Sequence, residues 1–234
     1  MRSILKTWID AGGEKRILLL RHGEILKPTE EKRFVGQTDL PLTDTGRRQA
    51  RYWRECLAEV PLATIISSDL SRCVQTARIV ADGRGARITA MADLREIQLG
   101  QWDGMRFQQV REKWPDAFRR RGEAVARFRP PAGESFLDLQ KRVVPAFEQA
   151  VNQSGRYLLV VAHAGVIRVV LCHILGMPVD HLFRIGQSYG ALNLIDRQAG
   201  RYRLHALNLI PDPATGDSGK ARESSGISGR KTPI

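Results

Sequence analysis

Short apolar runs alternate with amphipathic stretches along most of this chain, and the alternation predicts strands and helices in turn. Ile17-Leu18-Leu19-Leu20 reads as a buried strand, because an unbroken apolar run suits a strand covered on both faces. A polar loop from 25 to 42 leads to Thr43 as a helix N-cap, and Ala50, Trp53, Leu57 and Val60 then repeat at helical spacing. Ala63-Thr64-Ile65-Ile66 predicts a second strand, ended by Ser67-Ser68 ahead of a helix that aligns Leu70, Cys73 or Val74, Ala77 and Val80 on one stripe. Gly83 and Gly85 stop that helix.

From Arg87 to Pro131 the periodicity fades into short helical pieces broken by Pro115 and Gly122, which predicts an insertion or lid over about 103–132. Helical spacing resumes over 135–152 through Phe136, Leu139, Val143, Phe147 and Val151. Residues 157–162 are the strongest central strand, ending at His163-Ala164-Gly165 before an apolar helix over 166–175. Residues 191–196 and 202–207 flank Gln198-Ala199-Gly200 as a hairpin. Strands and helices in alternation predict an α/β fold: a three-layer α/β/α sandwich around a mostly parallel sheet.

With 234 residues, 42% hydrophobic and 26% charged, the chain has enough apolar material for one good-sized core. The expected organisation is an N-terminal extension (1–14), one domain (15–208) and a tail (209–234). From 211 onward Gly, Ser, Pro and charge dominate, and so little apolar surface cannot offset the entropy of ordering; disorder is expected there. No apolar segment heads the chain, and the stretch 157–179 is interrupted by His163, Arg168 and His173. The expectation is a cytoplasmic protein without membrane contact. Cys56, Cys73 and Cys172 are an odd number without metal-ligand spacing, so neither disulfides nor a metal site are expected.

The net charge of +12 raises the possibility of a nucleic-acid partner, but the arginines are spread along the chain without interleaved aromatics, and none is expected. The densest cluster is Arg119-Arg120-Arg121 with Arg127 and Arg129, which is either a solvated helix face or a device that draws anions toward a nearby site. The pattern leaves oligomeric state open.

Three predicted element ends deliver the chemistry. Arg21-His22, Arg72 and His163 are far apart in sequence, yet the βα order brings them to one sheet edge. Two arginines and two histidines make an electropositive pocket suited to a phosphoryl group, whose oxygens match the planar fork of guanidinium donors.

These residues sit in blocks that resemble the histidine phosphatase (phosphoglycerate mutase-like) superfamily over about residues 15–207. The blocks are Arg21-His22-Gly23-Glu24; Gly36-Gln37-Thr38-Asp39-Leu40-Pro41-Leu42-Thr43; Ser68, Leu70 and Arg72 with Gln75-Thr76-Ala77; Leu94-Arg95-Glu96 with Gly100-Gln101-Trp102-Asp103-Gly104; Gly133-Glu134-Ser135; and His163-Ala164-Gly165-Val166-Ile167-Arg168. The resemblance implies that His22 is a nucleophile carrying a transient phosphohistidine. It implies that Arg21, Arg72 and His163 bind the phosphoryl oxygens, and that Glu96 is the general acid and base. No metal or cofactor is implied. Glu24, the competing carboxylate, is expected to serve structure, and Glu134 to open the long helix.

The loop after His22 departs from the family pattern, with Ile25 and Pro28 or Thr29 where Thr and Asn are usual. Gln37, Thr38 or a backbone amide is the candidate for the missing phosphate contact, and Ala164 is a further candidate phosphate-binding residue. Gly186-Gln187-Ser188-Tyr189-Gly190 has the form of a hydrolase elbow but precedes a strand, so Ser188 is read as a loop residue. Cys73 lies on the apolar stripe and is read as core.

Within the superfamily the short lid and the His163 block favour a phosphatase, resembling the α-ribazole phosphatases. The implied partner is a small phosphorylated metabolite, with α-ribazole 5'-phosphate as the candidate. The alternatives are phosphoglycerate mutase-type transfer and a catalytically weak phospho-ligand-binding regulatory module.

Overall fold

The computed structural model describes residues 2–11, 13–26 and 31–212. Its elements are α1 (Arg2–Asp10), β1 (Lys15–Arg21), α2 (Asp44–Cys56), β2 (Thr64–Ser68), α3 (Ser71–Ala81), β3 (Arg87–Met91), α4 (Phe107–Lys113), α5 (Pro115–Glu123), α6 (Phe136–Gln153), β4 (Tyr157–Ala162), α7 (Ala164–Leu175), β5 (Leu192–Gln198) and β6 (Arg201–Leu209). The strands form one sheet in the order β3-β2-β4-β1-β5-β6. Strands β3, β2, β4 and β1 are parallel, β5 is antiparallel to β1, and β6 to β5. The mostly parallel α/β architecture expected from the pattern is the one found.

The apolar run of β1 is divided between two cores. Ile17 and Leu19 pack with α6 and α7 residues such as Phe147 and Ile167, whereas Leu18 and Leu20 pack with Trp53 of α2 and Ala77 of α3. Successive strand side chains point to opposite faces, so a strand covered on both sides needs an apolar residue at each position. Thr43 caps α2, its Oγ1 accepting from Gly46 N at 3.0 Å. Trp53, fully buried on the same helix, donates from Nε1 to Gly190 O at 2.6 Å and ties α2 to the loop before β5.

Four elements differ from the pattern-based expectation. Strand β3 lies in the segment expected to be irregular; it is a short edge strand beside β2 alone, so it carries no apolar run that periodicity would detect. The expected N-terminal extension contains α1, whose Leu5 and Trp8 are buried in the core beneath α2. The hairpin strands are longer than expected, and β6 ends at Leu209, inside the span assigned to the tail. Residues 213–234 of that tail, and 27–30 of the loop after His22, lie outside the described residues. No helix among the described residues is long and apolar enough to cross a membrane.

Register sets up the site. Arg21 pairs with Ala162 and Ser67 with Val161, so the next residues, His22 and His163, leave adjacent strands at the same carboxyl edge. Helix α3 starts just beyond β2 and carries Arg72 on its first turn.

Candidate active site

His22 is buried, and its amide still donates to Ala162 O at 3.0 Å, so the first residue beyond β1 remains anchored to β4. Its Nδ1 lies 2.8 Å from Gly23 O. A carbonyl only accepts, so in the neutral ring Nδ1 carries the proton and Nε2 keeps its lone pair. Burial first, then the charges of Arg21 and Arg72, hold the imidazole well below its ordinary value of 6.5. A Cβ on Gly23 would fall 2.4 Å from Gly46 O, and one on Gly46 would fall 2.2 Å from Glu24 O. Glycine at both positions lets the His22 loop lie directly on the first turn of α2.

Arg72 is 1% exposed and donates from Nε to His163 Nδ1 at 3.2 Å, and from its two terminal nitrogens to Thr38 O at 2.8 Å and Gly36 O at 2.5 Å. Because Arg72 can only donate, His163 Nδ1 accepts, and His163 Nε2 faces Ser68 Oγ at 2.9 Å as a donor. Burial, Arg72, His22 and Arg21, in that order, push His163 well below 6.5. The two imidazole rings are 5.1 Å apart. Arg21 donates to Gln187 O at 2.7 Å and lies 3.8 Å from the Tyr189 ring centre, and that ring is 5.6 Å from His22. Burial lowers the Arg21 pKa, with Tyr189 and Glu96 opposing it.

Glu96 accepts from Ile97 N at 2.9 Å through one oxygen and from Gly165 N at 3.0 Å through the other. The amide of Gly165 belongs to the first turn of α7, a favourable place for a negative charge. A Cβ on Gly165 would stand 2.3 Å from Glu96 Oε1. Arg142 of α6 steadies this turn, donating to the carbonyls of Asp93, Arg95 and Glu96 while pairing with both oxygens of Glu134. Glu96, Ala164, Gly165 and Arg168 line one cavity of about 140 Å³. Glu24 instead accepts from Thr43 Oγ1 at 3.0 Å and so supports the cap of α2.

The model of the histidine phosphatase superfamily (branch 1) matches residues 17–210. This chain belongs to the histidine phosphatase superfamily. It is 36% identical over 175 residues to a glucosyl-3-phosphoglycerate phosphatase of Mycolicibacterium vanbaalenii, covering 71% of this chain and 77% of the relative. It is 27% identical to phosphoserine phosphatase 1 of Hydrogenobacter thermophilus, over 83% of this chain and 92% of that one. The α-ribazole phosphatase of Shigella flexneri superposes with a TM-score of 0.77 at 24% identity, over 84% and 98% of the two chains; this is a likeness of fold.

In this histidine phosphatase fold the backbone amides of the Gly36 to Thr38 loop are taken up within the protein. The amides of Gly36, Gln37 and Thr38 all donate to the Asp103 carboxylate, at 2.8, 2.9 and 2.8 Å. They are therefore not available to a phosphate, and the loop presents its carbonyls to Arg72 instead. Gln37 Nε2 donates to Glu96 O at 3.1 Å, which makes it a support for the Glu96 turn. Nothing local in the sequence marks Asp103 as the anchor of a loop about 65 residues away. The stacking of Tyr189 on Arg21 depends on the loop before β5, which periodicity does not describe.

Cys73 Sγ lies 3.4 Å from His163 Nε2, and burial pushes its thiol far up, so it stays protonated as a packing group. Ser188 is a loop residue whose amide donates to Asn208 Oδ1. His173 meets Glu148 at 2.9 Å on the surface.

The two depressed histidines have a consequence for stability. Below 6.5 the unfolded chain binds two protons that folded His22 and His163 do not, so stability is present above that pH and is lost as pH falls. Between about pH 7.5 and about pH 5.5 the wild type loses about 2–3 kcal/mol more than a His22→Gln/His163→Gln variant. Urea denaturation of both proteins at the two pH values measures the difference; equal losses contradict it.

Proposed function

We propose that the chain is a phosphomonoester hydrolase acting through a phosphohistidine on a small phosphorylated metabolite. The state of His22 carries this reading: a buried neutral imidazole with Nδ1 committed to Gly23 O and Nε2 unprotonated, between two guanidinium groups. Nε2 attacks phosphorus as the P–O bond to the alcohol breaks, and Glu96 in its acid form protonates the departing oxygen. The resulting Glu96 carboxylate then takes a proton from water, which attacks phosphorus and returns His22 to its neutral form.

Arg21 and Arg72 hold the phosphoryl oxygens, joined by His163 when its Nε2–H turns from Ser68 Oγ to the ligand. Each terminal guanidinium nitrogen has two N–H groups, so a carbonyl on one leaves the other for the ligand. Charge stabilisation of this kind is most of what a protein supplies to phosphoryl transfer. Ala164, at the start of α7 beside His163, offers its position at a helix N-terminus as a further phosphate contact.

The substrate candidates are α-ribazole 5'-phosphate, on the strength of the sequence blocks, and the esters for which the relatives are named. The experiment is a phosphate-release screen over α-ribazole 5'-phosphate, glucosyl-3-phosphoglycerate, phosphoserine, phosphoglycerates and a generic aryl phosphate, without added metal. Release from at least one metabolite, with no isomerisation of phosphoglycerate, is expected. Isomerisation outpacing release identifies a mutase, and no turnover of any ester identifies a binding module.

A further inference from the structure

The arginine cluster of the lid divides in three dimensions. Arg119 is exposed and paired with Asp116 and Glu123, and Arg129 is paired with Asp138. Arg120 and Arg127 border a depression on the outer surface. Arg121, the fifth, lines the cavity that holds Glu96 and Gly165.

There the Arg121 guanidinium stands 5.2 Å from the Phe34 ring centre, 6.0 Å from Phe107 and 5.7 Å from Phe183. Among the described residues it has no carboxylate or carbonyl partner, and burial lowers its pKa with no acid opposing the shift. Arg168 of α7 lines the same cavity, 5.5 Å from the same Phe183 ring, with its Nε on Ile185 O at 2.9 Å. No carboxylate among the described residues lies within ion-pair distance of it, although it feels the field of Glu96. Two cations face one aromatic ring with no carboxylate paired to either among the described residues, and partial burial leaves both incompletely solvated. An arrangement of this kind is stabilised by an anion, and aromatic faces fix the guanidinium planes before it arrives.

We infer that Arg121 and Arg168 form a second anion subsite beside the phosphoryl pocket, selecting phosphomonoesters whose leaving alcohol carries an apolar body ending in another anionic group. The inference rests on the hydrolase function proposed above and specifies its substrate class. A cavity of about 140 Å³ accepts a body the size of a benzene ring. The alcohol must leave past Glu96, which shares that cavity, so the far end of the alcohol points toward the two arginines. The anion is a carboxylate or a second phosphate; both suit a guanidinium fork.

Three aryl phosphates with closely matched leaving groups test this: 4-(carboxymethyl)phenyl phosphate, 4-(phosphonomethyl)phenyl phosphate and the uncharged 4-(carbamoylmethyl)phenyl phosphate. The wild type favours at least one charged ester over the amide by about tenfold or more in kcat/KM, the yield of one charge-assisted hydrogen bond. Which charged ester leads separates carboxylate from phosphate. Arg121→Met, and Arg121→Gln as a second variant, bring the ratio to within about twofold of unity. Arg121→Lys keeps part of the preference, and Arg119→Met, on the outer face of the same helix, keeps all of it. Each ratio is taken within one variant, so a smaller folded fraction cancels. Hydrolysis of all three esters without preference, or a preference that survives Arg121→Met and Arg121→Gln, overturns the subsite and leaves the hydrolase intact. No hydrolysis of any ester overturns both.

Discussion

Under the proposed mechanism His22→Ala lowers kcat/KM for an aryl phosphate by about 10⁴-fold or more, because it removes the atom proposed to form the covalent intermediate and no other group among the described residues is placed to replace it. Cys73 packs against His163, but burial holds its thiol protonated. Ser188 lies in a loop, and among the described residues no base is bonded to its hydroxyl. Arg21, Arg72 and His163 remain in the variant, so inorganic phosphate still inhibits or binds. Loss of turnover with retained phosphate binding separates a missing nucleophile from a collapsed pocket. Retention of more than about 1% of activity contradicts the assignment.

Glu96→Gln gives the second largest effect, and its size depends on the leaving group. An alkoxide needs a proton as it departs, so turnover of an alkyl phosphate falls by about 10²–10⁴-fold. A nitrophenolate leaves unaided, so His22 is still phosphorylated at a useful rate. The second step then lacks its base, and stopped-flow absorbance should show a burst near one nitrophenol per enzyme followed by slow turnover. Gly165→Ala produces a milder form of the same pattern, because its Cβ would stand 2.3 Å from Glu96 Oε1 and must displace the carboxylate. Equal losses for alkyl and nitrophenyl esters in both variants would remove Glu96 from the role of acid and base.

The central sheet was legible because β1 and β4 are covered on both faces and carry unbroken apolar runs, and β2 adds the buried pair Ile65-Ile66 ahead of Ser67-Ser68. Strand β3 was not, since an edge strand satisfies its core with one or two residues, and α1 was not, since its buried contribution is Leu5 and Trp8. Among the candidate site residues, Arg21, His22, Arg72 and His163 stand at element ends, where a break in periodicity marks them, whereas Glu96 lies in the loop between β3 and α4 and is legible only through the resemblance of its block. The structure gathers them as strand register requires.

The supporting contacts are another matter. Asp103 under the Gly36 to Thr38 loop, Arg142 under the Glu96 turn and Tyr189 on Arg21 come from loops and helix faces whose approach only tertiary packing defines. The division of the lid arginines into paired surface groups and one inward cation is similarly invisible in a run of three identical residues. It depends on which side of α5 meets Phe34 and Phe183.

The most direct test of the mechanism is to trap the intermediate and locate the phosphate. A few milliseconds after mixing with a nitrophenyl phosphate, Glu96→Gln enzyme is quenched in alkali, where phosphohistidine survives, and is analysed by mass spectrometry and phosphorus NMR. Because Nδ1 is held by Gly23 O, the phosphate should appear on Nε2 of His22, stable in base and released by acid. Phosphate on Nδ1, on Cys73 or Ser188, or no phosphoenzyme at all during a demonstrable burst, would contradict the account.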